Sequence, residues 1–183
     1  MCIRDSPVHL AESELFGHIK GAFTNAHQNR KGAVAMANYG TLFLDEVADL
    51  SPEVQVKLLR FLEEGEVRPV GSDRTYKHNV RVICASHQSL SQLVQSGDFR
   101  EDLFYRLTSI TLKLLPLRER PEDIELLAHQ FATNFGKSLT LGALSRLQSY
   151  PWHGNVRELR HTIERASAML PPDRKILDQR AVS

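Results

Sequence analysis

The run Gly-Thr-Leu-Phe-Leu-Asp-Glu-Val-Ala-Asp-Leu, residues 40–50, constrains this chain more than any other stretch. Thr41 to Leu44 reads as a buried strand, and it ends in two adjacent carboxylates, Asp45 and Glu46. A helix is expected immediately afterwards. Ser51 suits an N-cap, Pro52 the first helical position and Glu53 the positive end of the helix dipole. Val54, Leu58, Phe61 and Leu62 then follow at helical spacing, and Gly65 can close the C-terminus. In an open α/β sheet ligands bind beyond the carboxyl ends of the strands, which is where Asp45 and Glu46 would project.

Two further stretches read as strands, Val80 to Ser86 and Ser109 to Leu117. Between them, Leu90 to Leu107 is expected to be helical with a break near Gly97. After the stretch RERPEDI, residues 118–124, the character changes. Ile124 to Phe135, Leu141 to Tyr150 and Val156 to Met169 all read as helices, and no strand is expected after them. Strands alternating with helices, followed by helices alone, indicate an α/β portion, residues 7–117, with a helical appendage, residues 118–183. The first six residues, MCIRDS, fit no pattern that follows and read as a non-native scar.

Length and charge narrow the function classes. With 183 residues, 42% hydrophobic, the chain suits one globular domain divided into two subdomains. Its formal net charge of +1 argues against tight nucleic-acid binding, which favours a clear basic excess. No apolar run approaches the roughly 18 residues of a membrane span, and no secretory pattern is present. Cys2 and Cys84 match neither metal-ligand spacing nor a disulfide framework. Cys84 reads as a reduced core residue, and the expected location is the cytoplasm.

The paired acids have a specific chemical use. One carboxylate can hold Mg²⁺ through its water while the other polarises an attacking water, as phosphoryl transfer requires. Acids that simply precede a helix are the alternative. A phosphate loop should accompany such a strand, yet G-x-x-x-x-G-K-[ST] occurs nowhere. The nearest fragment, Phe135 to Ser138, has Phe131 where the first glycine belongs, so Gly136 reads as a helix-terminating glycine.

Arg100 and Arg106 flank Asp102, which fits either arginines offered to a neighbouring subunit's phosphate or a solvated helix with local ion pairs. Arg157 lies in the first turn of a helix that Asn155 would cap, with Glu158 three residues later. It can reach a phosphate or decorate the surface. Leu141 to Met169 also has the outline of a helix-turn-helix, but Pro151 and Trp152 make the turn bulky and the second helix is mixed in charge, which favours helix packing.

Six collinear stretches carry a resemblance: ESELFGHIKGAFTNA, GTLFLDEVADLSPEVQVKLLRFLEEGEVRPVG, VRVICASHQSL, FREDLFYRL, LPLRERPEDI and WHGNVRELRHTIERA. Together they resemble the central AAA+ ATPase domain of bacterial enhancer-binding proteins, the activators of sigma-54 RNA polymerase, from Glu12 to about Leu177. The resemblance implies a P-loop-type parallel α/β sheet followed by a small helical lid, with ATP and Mg²⁺ as cofactors. By it, Asp45 and Glu46 are the Walker B pair, Asp45 holding Mg²⁺ through water and Glu46 activating the nucleophile. Arg100 and Arg106 match arginine fingers acting across a homo-oligomeric ring, typically a hexamer. Arg157 matches the sensor arginine of the lid, and His87 takes the first sensor position.

Gly21, Ala22, Phe23, Thr24, Asn25 and Ala26 fall on the loop that reads GAFTGA in that family, where Phe and Thr touch sigma-54. The resemblance thus implies an exposed aromatic on a glycine-hinged loop, with a second loop near Gly71 to Asn79.

Three departures accompany the likeness. Asn25 replaces the second glycine of the loop, a residue type that tolerates positive φ. His87 replaces the usual Asn. The phosphate loop would lie upstream of Glu12, and the regulatory and DNA-binding domains of the family have no counterpart. The chain is therefore expected to be a truncated domain that binds ATP weakly and hydrolyses almost none. Two alternatives remain: a related AAA+ regulator that does not touch sigma-54, and a non-hydrolysing interaction remnant.

Overall fold

A computed structural model describes residues 8–171 and 173–182; the expectations for residues 1–6 and for Cys2 lie outside them. The chain divides into two compact units, Met1–Thr111 and Leu112–Ser183. The first unit runs α1 (Val8–Phe16), β1 (Gly17–His18), β2 (Arg30–Lys31), α2 (Ala33–Met36), β3 (Thr41–Leu44), α3 (Pro52–Glu64), β4 (Glu66–Val67), β5 (Tyr76–Lys77), β6 (Arg81–Cys84), α4 (Leu90–Ser96) and α5 (Glu101–Leu107). The second contains α6 (Pro121–Asn134), β7 (Ser138–Leu139), α7 (Leu141–Ser149), α8 (Asn155–Met169) and β8 (Ile176–Leu177).

The first unit is organised on a parallel pair. β3 lies beside β6, with Leu42 opposite Val82 and Leu44 opposite Cys84. Leu42 and Leu44 point into a core shared with Leu15, Val54, Leu58, Phe61 and Leu103. The four-residue run reads in the sequence as a buried strand, but alternate residues are exposed. Phe43 and Ile83 remain 51% and 42% exposed, because a parallel strand is buried on both sides only when elements cover both faces.

Helix α3 follows the expected pattern. Val54, Leu58 and Phe61 are buried, Leu62 is half-buried, and Gly65 ends the helix at φ +71° with its N–H bonded to Phe61 O. Ser51 has the extended backbone of an N-cap, but its hydroxyl makes no capping bond and its Oγ is buried without a partner. The expected break at Gly97 separates α4 from α5.

The strand expected over Ser109–Leu117 does not form. Residues 111–116 have no regular structure, and Ile110, Leu112 and Leu114 are 85%, 85% and 88% exposed. Their alternation suits a strand, but a strand needs a hydrogen-bonding neighbour. Among the described residues β3 and β6 pair only with each other, and this segment pairs with no strand.

The second unit buries Leu117, Ile124, Ala128, Leu147, Trp152, Leu159, Ile163 and Leu177 in its own core. Gly136 is at φ +65°, and the adjacent Lys137 N–H returns to Ala132 O, closing α6 as the glycine suggested. Contrary to expectation this part is not helix alone, since β7 and β8 form a two-residue parallel pair. The start of α8 also differs. Asn155 adopts φ +52°, and its Oδ1 accepts the Leu117 N–H at 2.8 Å instead of capping its own helix. Only the glutamate half of the capping box forms, with Gly154 N–H donating to Glu158 Oε2 at 2.8 Å. Trp152, 2% exposed, donates to Leu147 O at 2.7 Å. The bulky turn is thus core, which agrees with helix packing.

Cys84 is a free thiol at the end of β6 whose pKa burial raises to about 11. The folded state therefore holds this proton more tightly than the unfolded chain, whose ordinary value is near 9. Its contribution to stability is complete below pH 9 and falls as pH rises towards 11. Peptide-resolved alkylation at pH 8 should label Cys84 slowly in the native chain and readily after denaturation.

Candidate functional site

The acid pair stands where the parallel ladder ends. Ala85 N–H donates to Leu44 O at 2.8 Å and Val47 N–H donates to Ala85 O at 3.1 Å, so the two strands stay joined on either side of Asp45 and Glu46. Glu46 adopts left-handed backbone at φ 56°, and its N–H donates to Asp45 Oδ1 at 3.1 Å. Its Oε2 is buried without a hydrogen-bond partner. A non-glycine residue in this conformation costs about 1–3 kcal/mol, and a buried unsatisfied oxygen adds about 1–3 kcal/mol. Strain and an unpaired carboxylate oxygen therefore coincide at one residue, at a strand's carboxyl end.

His87 is exposed in the loop that leaves β6 at this same end. The next residue ties that loop to the one after β3, Gln88 Nε2 donating to Asp49 Oδ1 at 3.4 Å. Asp45, Glu46 and His87 are therefore brought to one end of the β3–β6 pair. Two carboxylates suit Mg²⁺, which is usually bound by one or two carboxylates plus waters and substrate phosphates rather than by an all-protein cage. No cluster of three or more His, Cys, Asp or Glu able to hold a metal occurs among the described residues.

Arg100 and Arg106 occupy the two ends of α5. Arg100 sits at its N-cap and forms a bidentate pair with Asp102, at 3.0 and 2.6 Å. The hydrogen bond and charge of Asp102 raise the Arg100 pKa, and the same bond lowers that of Asp102. Arg106 donates twice to Leu62 O, at 3.2 and 2.9 Å, on the last turn of α3. Both side chains are thus held locally, away from any bond to the acid pair. Arg157 is exposed on α8 in the second unit.

One residue here escaped the sequence reading. Gln55 is 1% exposed on the apolar stripe of α3. Its Nε2 donates to Leu50 O at 2.9 Å and Asp98 O at 3.2 Å, and its Oε1 accepts the Arg100 N–H at 2.9 Å. It fastens the turn after the acids to the start of the arginine-bearing helix. A lone amide beside Val54 and Leu58 was the available signal.

The segment Gly21–Ala26 is folded back on itself. Gly21 N–H donates to Ala26 O at 2.8 Å, Ala26 N–H donates to Phe23 O at 2.9 Å, and Ala26 is buried. Thr24 and Asn25 are exposed, but Phe23, expected to be exposed, is half-buried against His18. Asn25 does not use positive φ; Gly21 does, at +82°. The second loop meets the first at Gly71, where a Cβ would fall 2.7 Å from that of Ala22.

Residues 2–113 match the sigma-54 interaction domain, and residues 118–181 match the AAA+ ATPase lid domain. The chain belongs to the sigma-54 interaction domain family. It is 49% identical over 170 residues to the hydrogenase transcriptional regulatory protein HoxA of Cupriavidus necator, covering 89% of this chain and 35% of that protein. Identity is 52% over 167 residues to the anaerobic nitric oxide reductase transcription regulator NorR of an Enterobacter species, covering 87% and 33%. The solved structure of NtrX from Brucella abortus in complex with ATP superposes with a TM-score of 0.85 at 31% identity, over 97% of this chain and 40% of that one. The chain thus spans about a third of the length of these curated relatives. Its fold is that of an AAA+ protein, a parallel sheet with helices followed by a lid.

In this sigma-54 interaction domain the amide of Gln55 is the link between the acid turn and α5. Gln55→Leu keeps the volume but leaves two carbonyls and one N–H unpaired, a loss of about 1–3 kcal/mol. Chemical denaturation should register the loss, and hydrogen exchange at the Arg100 amide should accelerate.

Proposed function

We propose that this chain is part of an ATP-hydrolysing transcriptional activator that remodels sigma-54 RNA polymerase through the Gly21–Ala26 loop. The observation that carries the ATPase reading is the acid pair at the carboxyl end of β3, with Glu46 in left-handed backbone and its Oε2 buried unpaired. Asp45 would hold Mg²⁺ through water, and the ion would offset phosphate charge when bound. Glu46 would accept a proton from, and aim, the attacking water. The ATP complex of NtrX, 31% identical, supports ATP as the nucleotide.

Arg100 and Arg106 would serve a neighbouring copy's phosphate in a ring of the full-length protein, and Arg157 and His87 would report the nucleotide state. In that role each arginine must exchange a local bond, to Asp102 or to Leu62 O, for one across the interface. Phe23 and Thr24 would supply the contact with sigma-54, while DNA would be bound by a domain outside this chain. No described helix is long and apolar enough to cross a membrane.

Asn25, in place of a glycine, favours a second reading, a related AAA+ regulator that does not engage sigma-54. Open-complex formation by the full-length protein at a sigma-54 promoter separates the two: the first reading requires it and the second forbids it.

The 183-residue chain lacks G-x-x-x-x-G-K-[ST], and with it the backbone cradle and lysine that hold phosphates. Magnesium-dependent ATP turnover by this chain is expected to be at background, and a measurable rate refutes that expectation. In the full-length protein Glu46→Gln should cut turnover about 10²-fold or more while nucleotide binding persists.

A further inference from the structure

We infer that His18 is the seat of Phe23: a positioning residue, braced by Ser13, that holds the Gly21–Ala26 loop in its folded-back state. The inference rests on the reading of that loop as the contact surface and adds how the contact is held in reserve. The two rings meet edge-to-face, centroids 4.9 Å apart at 63°. Phe23 is only half-buried there, so it can leave without opening the core.

The seat itself has little freedom. The His18 backbone is paired with Arg30 on one side and bridged to Val70 on the other. Its Nδ1 lies 2.6 Å from Ser13 Oγ, and Ser13 is 1% exposed in α1. The residue before Ser13, Glu12, is itself buried and takes an ion pair from Lys57 of α3. The brace is therefore attached to the helix that follows the acid turn. Beneath the loop, the backbones of Leu15–Gly17 and Gly32 pack so closely that a Cβ on Gly32 would lie 2.4 Å from three of their atoms. The neck is rigid, and the His18–Phe23 contact lies at the boundary between it and the loop tip. The tip is closed by the bonds from Gly21 N–H to Ala26 O and from Ala26 N–H to Phe23 O. Within it the side chains of Thr24 and Asn25 are already exposed, so Phe23 is the large side chain that the seat holds back.

Limited chymotrypsin digestion of the 183-residue chain tests this, because cleavage after Phe23 follows the population in which the loop has opened. Cleavage after Tyr105, which is 66% exposed, serves as the reference within the same molecule. An aromatic pair of this geometry shifts such a population by about two- to tenfold. His18→Gln should accelerate the Phe23 cut by that factor with the Tyr105 cut unchanged. His18→Phe, which keeps a ring but loses the bond to Ser13, and Ser13→Ala, which keeps the ring unbraced, should both give intermediate rates.

Wild-type cleavage in His18→Gln overturns the inference, as does equal acceleration in His18→Phe. A parallel rise at Tyr105 would assign His18 a general structural role and overturn it as well. No polymerase is present in the assay, so its result stands whether or not the loop touches sigma-54. Binding of the full-length protein and its Phe23→Ala variant to sigma-54 tests that separate reading.

Discussion

The parallel pairing of β3 with β6 is the interaction on which the rest of the first unit depends. It sets Leu42 and Leu44 over the helix stripe of Val54, Leu58 and Phe61, and it brings the two loops after the strands to one end. A parallel ladder cannot be closed by a short turn, so the chain between the strands must form a crossover. That crossover carries α3 and the β4–β5 pair, which ends the second loop beside Ala22. The end at which the acid pair stands and the crossover between the strands are thus consequences of one register. Slipping it by one residue would turn Leu42 and Leu44 to the exposed face and Phe43 into the core.

Among the described residues Glu46 is the one that combines positive φ with a buried unpaired side-chain oxygen. Elsewhere positive φ falls on glycines and a few turn residues, and most buried polar atoms are paired. Such a combination persists only where the surrounding packing over-determines it, here by Val47 and Leu44 on either side, both about 1% exposed. The amide of Gln55 extends the same rigidity to α5, so the helix carrying both arginines starts from a fixed point.

The second unit has a core of its own. Trp152 and Leu117 are interior to it, and Asn155, in a conformation that side chains seldom adopt, links the entry turn to the first residues of α8. The segment between the two units is apolar and exposed instead of sheet, which marks the limit of pattern reading. Alternation indicates what a segment can do; a neighbouring edge decides whether it does so.

The sequence by itself determined most of the elements: Thr41–Leu44 as a strand, Pro52–Glu64 as a helix ending at Gly65, the break at Gly97, and the three helices after Pro121. These depend on periodicity, caps and breakers, which act over a few residues and are written in order. It also placed the acid pair, because strand ends are local. What only the tertiary structure decided involves residues far apart in the chain. Gln55 meets Arg100 across 45 positions, Lys57 meets Glu12 across another 45, and Arg106 meets Leu62 across 44. Whether Phe23 is presented or held back is of the same kind. Its composition and loop are legible, but the half-buried resting place on His18 exists only once β1, β2 and α1 have packed around it.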